Sequence, residues 1–137
     1  MNVIEAVKST LEAYSEISAV CNSIHVDFSS NEPTDYGLSS VSDSKLSEDI
    51  LGNQTRSNTF LMYSTFSSIN DYERLKNSSS LLNLGYYLDS QRNISIDNGE
   101  IESISVGNGM LYDVPEENDV NGVRYQLQIV ATYKIHV

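Results

Sequence analysis

Little in this 137-residue chain is suited to covalent or metal chemistry. It has one cysteine, Cys21, so no disulfide framework can form within it, which fits a reducing compartment. Tryptophan is absent, and histidine occurs only at His25 and His136. Imidazole supplies most acids and bases that work near neutral pH, and neither histidine has a second ligand at metal spacing. Cations are scarce as well. Eight Lys and Arg stand against nineteen Asp and Glu, a formal charge of −11. So acidic a surface repels phosphate and excludes a basic nucleic-acid footprint or an anionic membrane partner. No apolar run approaches the ~18 residues of a membrane helix. The opening MNVIEAVKSTLEAY places Glu5 and Glu12 early, without a basic region followed by an apolar one, so it does not read as a secretory signal.

Catalytic and ligand-binding motifs are equally scarce. Serine is abundant, but there is no G-x-S-x-G elbow. Gly107-Asn108-Gly109 lacks the helix and Lys-Ser/Thr of a phosphate loop and reads as a β-bulge. Asp97-Asn98-Gly99-Glu100 lacks the alternating ligands of a calcium loop and reads as a type I′ turn at Asn98-Gly99. No catalytic residue, metal ligand or cofactor is nominated.

What remains is a chain with enough apolar residues, 39% with nine Tyr, for one core in a single domain, residues 1–137. Asn2 and Glu5 form a capping box for an amphipathic helix through Val3, Val7, Leu11, Tyr14 and Cys21, with Glu12 and Glu16 outward. Ile24, Val26 and Phe28 alternate as a strand, residues 29–35 are a loop, and Tyr36, Leu38 and Val41 suggest a short strand. Residues 44–66 read as a hairpin turning at Gly52-Asn53. Its second arm has Phe60, Met62 and Phe66 on one side and Leu61 and Tyr63 on the other, as a central strand would. A helix capped by Asn70 follows, with Tyr72, Leu75, Leu82 and Tyr86 at helical spacing as its apolar positions, broken or bent at Asn77–Ser80 and resuming from Leu81 to Gln91. The last third is β, with a polar tip over 115–122 and a final strand alternating from Val123 to Val137. That strand is long enough to demand a bend or a partner in another chain. The expected fold is α+β: a mixed or antiparallel sheet, an N-terminal helix and a central helical segment packed on it, and a long C-terminal strand.

The acidity is concentrated. Between Arg92 and Arg124 no basic residue occurs, while Asp97, Glu100, Glu102, Asp113, Glu116, Glu117 and Asp119 supply −7 of the −11. Such blocks form solvated faces or surfaces that repel anions.

The opening Asn2–Lys8, the stretch Glu32–Tyr36, the hairpin end Thr59–Ser67, Gly109–Val114 and Arg124–Gln128 together resemble a family. It comprises the small tail-terminator, or tail-completion, "minor capsid" proteins of phages and prophages of low-GC Gram-positive bacteria. The resemblance implies a non-enzymatic virion subunit made in the host cytoplasm. It would assemble with itself into a ring, a hexamer, capping the head-proximal end of the tail tube. Its partners would be the tube protein, the neck or head-tail connector proteins, and a sheath where the tail is contractile. DNA would pass through without specific binding. The same resemblance implies subunit or tube contacts at Phe60, Met62, Phe66, Tyr125, Leu127, Ile129 and Tyr133. The acidic block over 97–119 would line the lumen or face a tail or neck partner. Two other readings stand beside it: a head-completion or neck adaptor, and a small cytosolic enzyme or ligand-binding domain using carboxylates.

Overall fold

A computed structural model describes residues 1–18, 24–26, 36–66, 71–111 and 123–136. The first helix, α1 (Val3–Glu12), is capped as its sequence dictates: the Glu5 N–H donates to Asn2 Oδ1 at 2.9 Å, and the Asn2 N–H to Glu5 Oε1 at 3.3 Å. Two otherwise orphaned donors are thereby satisfied. Val3, Ala6, Val7 and Leu11 form its buried stripe. The helix stops earlier than its periodicity predicts, and a short α2 (Ser15–Ser18) follows. At the break Tyr14 stacks on Tyr87, with ring centroids 4.7 Å apart. Glu12, expected to face water, accepts from Lys8 Nζ at 3.2 Å and from the Ile24 N–H at 3.1 Å. It ties the end of α1 to the start of the sheet. Cys21, Phe28, the 29–35 loop, the Asn70 cap and the 115–122 tip lie outside the described residues.

The sheet contains β1 (His25–Val26), β2 (Tyr36–Glu48), β3 (Gln54–Phe66), β4 (Arg92–Ile96), β5 (Gly99–Leu111) and β6 (Val123–Ile135) in the order β1-β2-β3-β6-β5-β4. Among the described strands only the β1–β2 pair is parallel, so the fold is α+β with a mixed, almost wholly antiparallel sheet. The weak strand over Tyr36–Val41 and the first hairpin arm are one strand, β2, and the turn spans Asp49–Asn53. As its two-sided apolar pattern predicts, β3 is interior, between β2 and β6. The final strand does not need another chain. β6 pairs with β3 along its whole length and with β5 on its other edge.

Helix α3 (Asp71–Asp89) runs unbroken through Asn77–Ser80. Ser and Asn cost a helix only a few tenths of a kcal/mol each relative to better formers. Burial of Leu81, Leu84 and Leu88 outweighs that cost. Gly85 sits where α3 meets β5: a Cβ there would lie 3.0 Å from Val106 Cγ2, close enough that the valine must shift. Both long helices contribute to one apolar cluster on one face of the sheet, with Phe60, Met62, Ile101, Ile104, Leu127 and Ile129.

The β4–β5 turn is displaced by one residue from its expected place. Ile96 pairs with Gly99, so the loop residues are Asp97 and Asn98. Only Asn98, at φ 59°, is left-handed, whereas a type I′ turn needs two such residues. Gly99 serves a different purpose. A Cβ there would lie 1.8 Å from the Lys134 carbonyl oxygen, so only glycine lets β5 approach β6 at this point. The bulge expected at Gly107–Gly109 is present as a register shift between Gly107 and Met110.

Candidate functional site

Five of the residues implied as subunit contacts are occupied within the chain itself. Phe60 and Met62 are fully buried, and Leu127, Ile129 and Tyr133 are buried beside them in the core under the helices. Alternation puts them on the helix-bearing face, where the chain's own helices cover them. Contact surface for another molecule must therefore come from other residues. Phe66 and Tyr125 are located by backbone register, opposite Val123 and Ser64 respectively.

Beyond the helices the same face turns polar, and Asp43 is its centre. Its carboxylate accepts from Tyr133 Oη at 2.5 Å, Arg56 Nε at 3.1 Å and Asn58 Nδ2 at 3.2 Å. Ser40 Oγ donates to Asn58 Oδ1 at 2.7 Å, and Arg56 Nη1 to Gln54 Oε1 at 2.8 Å. Burial, followed by the hydrogen bond to Asp43, raises the Tyr133 phenol above its ordinary pKa. Hydrogen bonding to Tyr133 and then to Asp43 raises that of Arg56. The network holds β2, β3 and β6 together where hydrophobic burial runs out. Its sequence signal was weak, because Asp43 and Asn58 sit in a Ser-rich stretch that reads as surface.

The opposite face is polar and half-exposed. Cross-strand register sets Ser42, Ser44 and Ser47 against Thr59, Ser57 and Thr55, and continues to Val130, Thr132 and Lys134 on β6. Ser103 and Ser105 of β5 extend two of these rows. The surface is largely hydroxyl and amide, with Leu61, Tyr63 and Val130 half-covered. Lys134 is engaged by Glu102 at 2.9 Å. That hydrogen bond, with the charge of Glu100 beside it, raises the lysine pKa.

Three of the seven acids in the basic-free window are described. Glu100 stands opposite Lys134 across the β5–β6 ladder, and Glu102 is its ion-pair partner. Asp97 is on the exposed turn, where it accepts from the Met1 ammonium at 2.8 Å while its N–H donates to the Met1 carbonyl at 2.7 Å. The part of the block nearest the sheet is thus partly neutralised by cations distant in sequence. Asp113, Glu116, Glu117 and Asp119 lie outside the described residues.

At the end of the sheet a depression of about 260 Å³ is lined by Ser47, Asp49, Asn53, Gln54, Thr55, Lys134 and His136. Lys134 belongs to its ion pair. Asp49 caps the hairpin turn, accepting from the Leu51 N–H at 2.9 Å, the Asn53 N–H at 3.0 Å and Asn53 Nδ2 at 3.0 Å. Those bonds, that from Asn53 first, lower the pKa of the Asp49 carboxyl. Among the described residues no three of His, Cys, Asp and Glu gather as a metal site, and no described helix is long and apolar enough to cross a membrane.

Among the described residues, exposed large apolar side chains are few. Val41 (52% exposed) and Leu46 (59%) occupy the two register shifts of β2, and Ile50 (102%) and Leu51 (76%) form the hairpin tip. Leu82 and Tyr86, one turn apart on the outer side of α3, are 57% and 64% exposed. The helical spacing that joins Leu82 and Tyr86 to Tyr72 and Leu75 as an apolar stripe puts these two on the wrong side of α3, because the positions that meet the core are Leu81, Leu84 and Leu88. No protein-family model matches this chain, and no curated protein matches it.

Proposed function

We propose that this chain is a non-enzymatic virion protein, a tail terminator that forms a ring at the head-proximal end of a phage tail tube. The ring joins the tube to the neck and lets DNA pass. One observation carries the reading beyond the sequence resemblance: the sheet has one helix-covered face and one broad hydroxyl and amide face whose Lys134 is held by Glu102. Phosphate binding is dominated by Lys and Arg contacts that displace counterions. A hydroxyl surface whose cation is already paired offers DNA little of that attraction, as the wall of a conduit requires. The overall charge of −11 acts in the same direction at Debye-length range. The acids over 97–119 are assigned to the rim of this wall and to its junction with tail or neck partners.

Deleting the gene from its phage and imaging the particles tests the reading. Heads separated from tails of irregular, excessive length, restored to normal by the gene in trans, are the expected outcome. Normal joined tails, or empty heads that never package DNA, would overturn it.

A further inference from the structure

Asparagine followed by glycine carries a reaction in its own backbone. The glycine amide nitrogen can attack the asparagine side-chain carbonyl carbon, and the missing Cβ removes the obstacle that other residues place in its way. The nitrogen loses its proton to solvent, ammonia leaves and a succinimide ring closes. Water then opens the ring to aspartate or isoaspartate. The balance is amide plus water giving carboxylate and ammonium, with no change of oxidation state. This chain holds the dipeptide at Asn98-Gly99, Asn108-Gly109 and Asn121-Gly122.

Asn98 is exposed on the β4–β5 turn, in left-handed backbone at φ 59°. Attack requires rotation about its Cα–C bond, which swings the Asn98 carbonyl oxygen and the Gly99 nitrogen together, because the peptide unit is planar. That unit is held on both sides. The Asn98 oxygen accepts from the His136 N–H at 2.6 Å. Gly99 is the register partner of Ile96 on β4 and of Ile135 on β6, and a Cβ on it would lie 1.8 Å from the Lys134 carbonyl oxygen. The preceding residue is pinned as well, since the Asp97 N–H donates to the Met1 carbonyl at 2.7 Å. An exposed reactive side chain therefore sits on a peptide unit that cannot turn while the ladder is closed. We propose that Asn98 is a deamidation site gated by the fold: the closed β4–β5 turn preserves the amide, and local opening of the turn releases it to react. The product does not fit the place it is made in. Isoaspartate adds a methylene to the main chain where β5 has no slack against Lys134. Conversion is thus a step with no return to the amide, and it loosens the sheet where Met1, β4 and β6 converge. Nothing in it depends on the virion reading.

The test incubates the whole chain at mildly alkaline pH, folded and in guanidinium chloride. Peptide mapping follows each Asn-Gly pair, with isoaspartate told from aspartate by fragmentation. In denaturant the three pairs should convert at similar rates, because the same residue follows each asparagine. In the folded chain Asn98 should convert more slowly than in denaturant by about tenfold or more, a ratio set by the cost of opening the turn. A second arm uses His136→Pro, which deletes the donor while keeping the extended backbone that a strand end tolerates. Circular dichroism checks its fold. Its Asn98 should convert about fivefold faster than that of the wild type, as the loss of one backbone hydrogen bond requires. Where that variant does not fold, the folded and denatured wild-type rates decide by themselves. The isoaspartate form, separated chromatographically, should unfold at a lower denaturant concentration than the amide form. Asn98 that converts as fast folded as unfolded, a folded His136→Pro chain no faster than wild type, or an isoaspartate form with an unchanged midpoint would each overturn the proposal.

Discussion

The Tyr133 side chain of β6 reaches over β3 to donate a 2.5 Å hydrogen bond to Asp43 of β2, ninety residues away in sequence. Arg56 and Asn58, on the strand it crosses, bind the same carboxylate. One buried tyrosine and one acid thus fasten three strands at the polar margin of the core. Tyr133→Phe removes a hydrogen bond to a charged acceptor and should cost about 1–3 kcal/mol of unfolding free energy in urea titration.

That same hydroxyl gives an alkaline signature. Its pKa is raised in the folded chain, so the folded state keeps the proton at a pH where the unfolded state has released it. The associated stability is complete below the ordinary tyrosine pKa of about 10 and is lost as pH rises through the folded value. Denaturation series from pH 8 to pH 11 should show wild-type stability falling above pH 10. Tyr133→Phe should fall less steeply there.

Gly99→Ala tests the closest approach of two strands. The added methyl would collide with the Lys134 carbonyl, which is backbone and cannot swing aside. A loss of about 3 kcal/mol is expected, at the upper end for overpacking. Amide exchange should accelerate first at His136, whose N–H donates to Asn98 at 2.6 Å beside this contact.

Gly85→Leu probes the helix layer. Leucine favours a helix over glycine by nearly 1 kcal/mol, yet the added atoms would press on Val106. A net loss of about 1–3 kcal/mol in thermal or urea denaturation is expected. A gain in stability would mean that α3 can lift off β5.

Asp49 fixes the hairpin tip, and its lowered pKa sets an acid limit. Its contribution is present above the ordinary aspartate range and disappears as pH falls through the folded value. Asp49→Ala should speed amide exchange at Leu51 and Asn53 without changing exchange in β6. Wild-type protein should show the same loosening only at a pH below the ordinary aspartate range.

The α+β architecture, the capping box of α1, the interior place of β3 and the bulge after Gly107 were legible because each rests on local periodicity or short-range chemistry. The unbroken α3 was not, since packing of Leu81, Leu84 and Leu88 overrides the propensity of Asn77–Ser80. The Lys134–Glu102 pair was hidden for a related reason. Charge counted along the chain found a window without bases, whereas the sheet brings a base to it from β6. The alternation of β6 correctly announced a strand but could not say whose edge it would meet. Exposed Ile50, Leu51, Leu82 and Tyr86 could not be separated from core residues by type alone.

The strand order also governs how the molecule is born. β2–β3 and β4–β5 are two hairpins with no direct pairing between them, and β6 alone bridges them. While the chain is still being synthesised, both hairpins wait with one edge open until the last strand emerges from the ribosome. Contacts this distant in sequence close slowly. Waiting edges invite pairing with neighbouring nascent chains. Ribosome-stalled or truncated chains ending before Val123 are therefore the species that chaperones should retain.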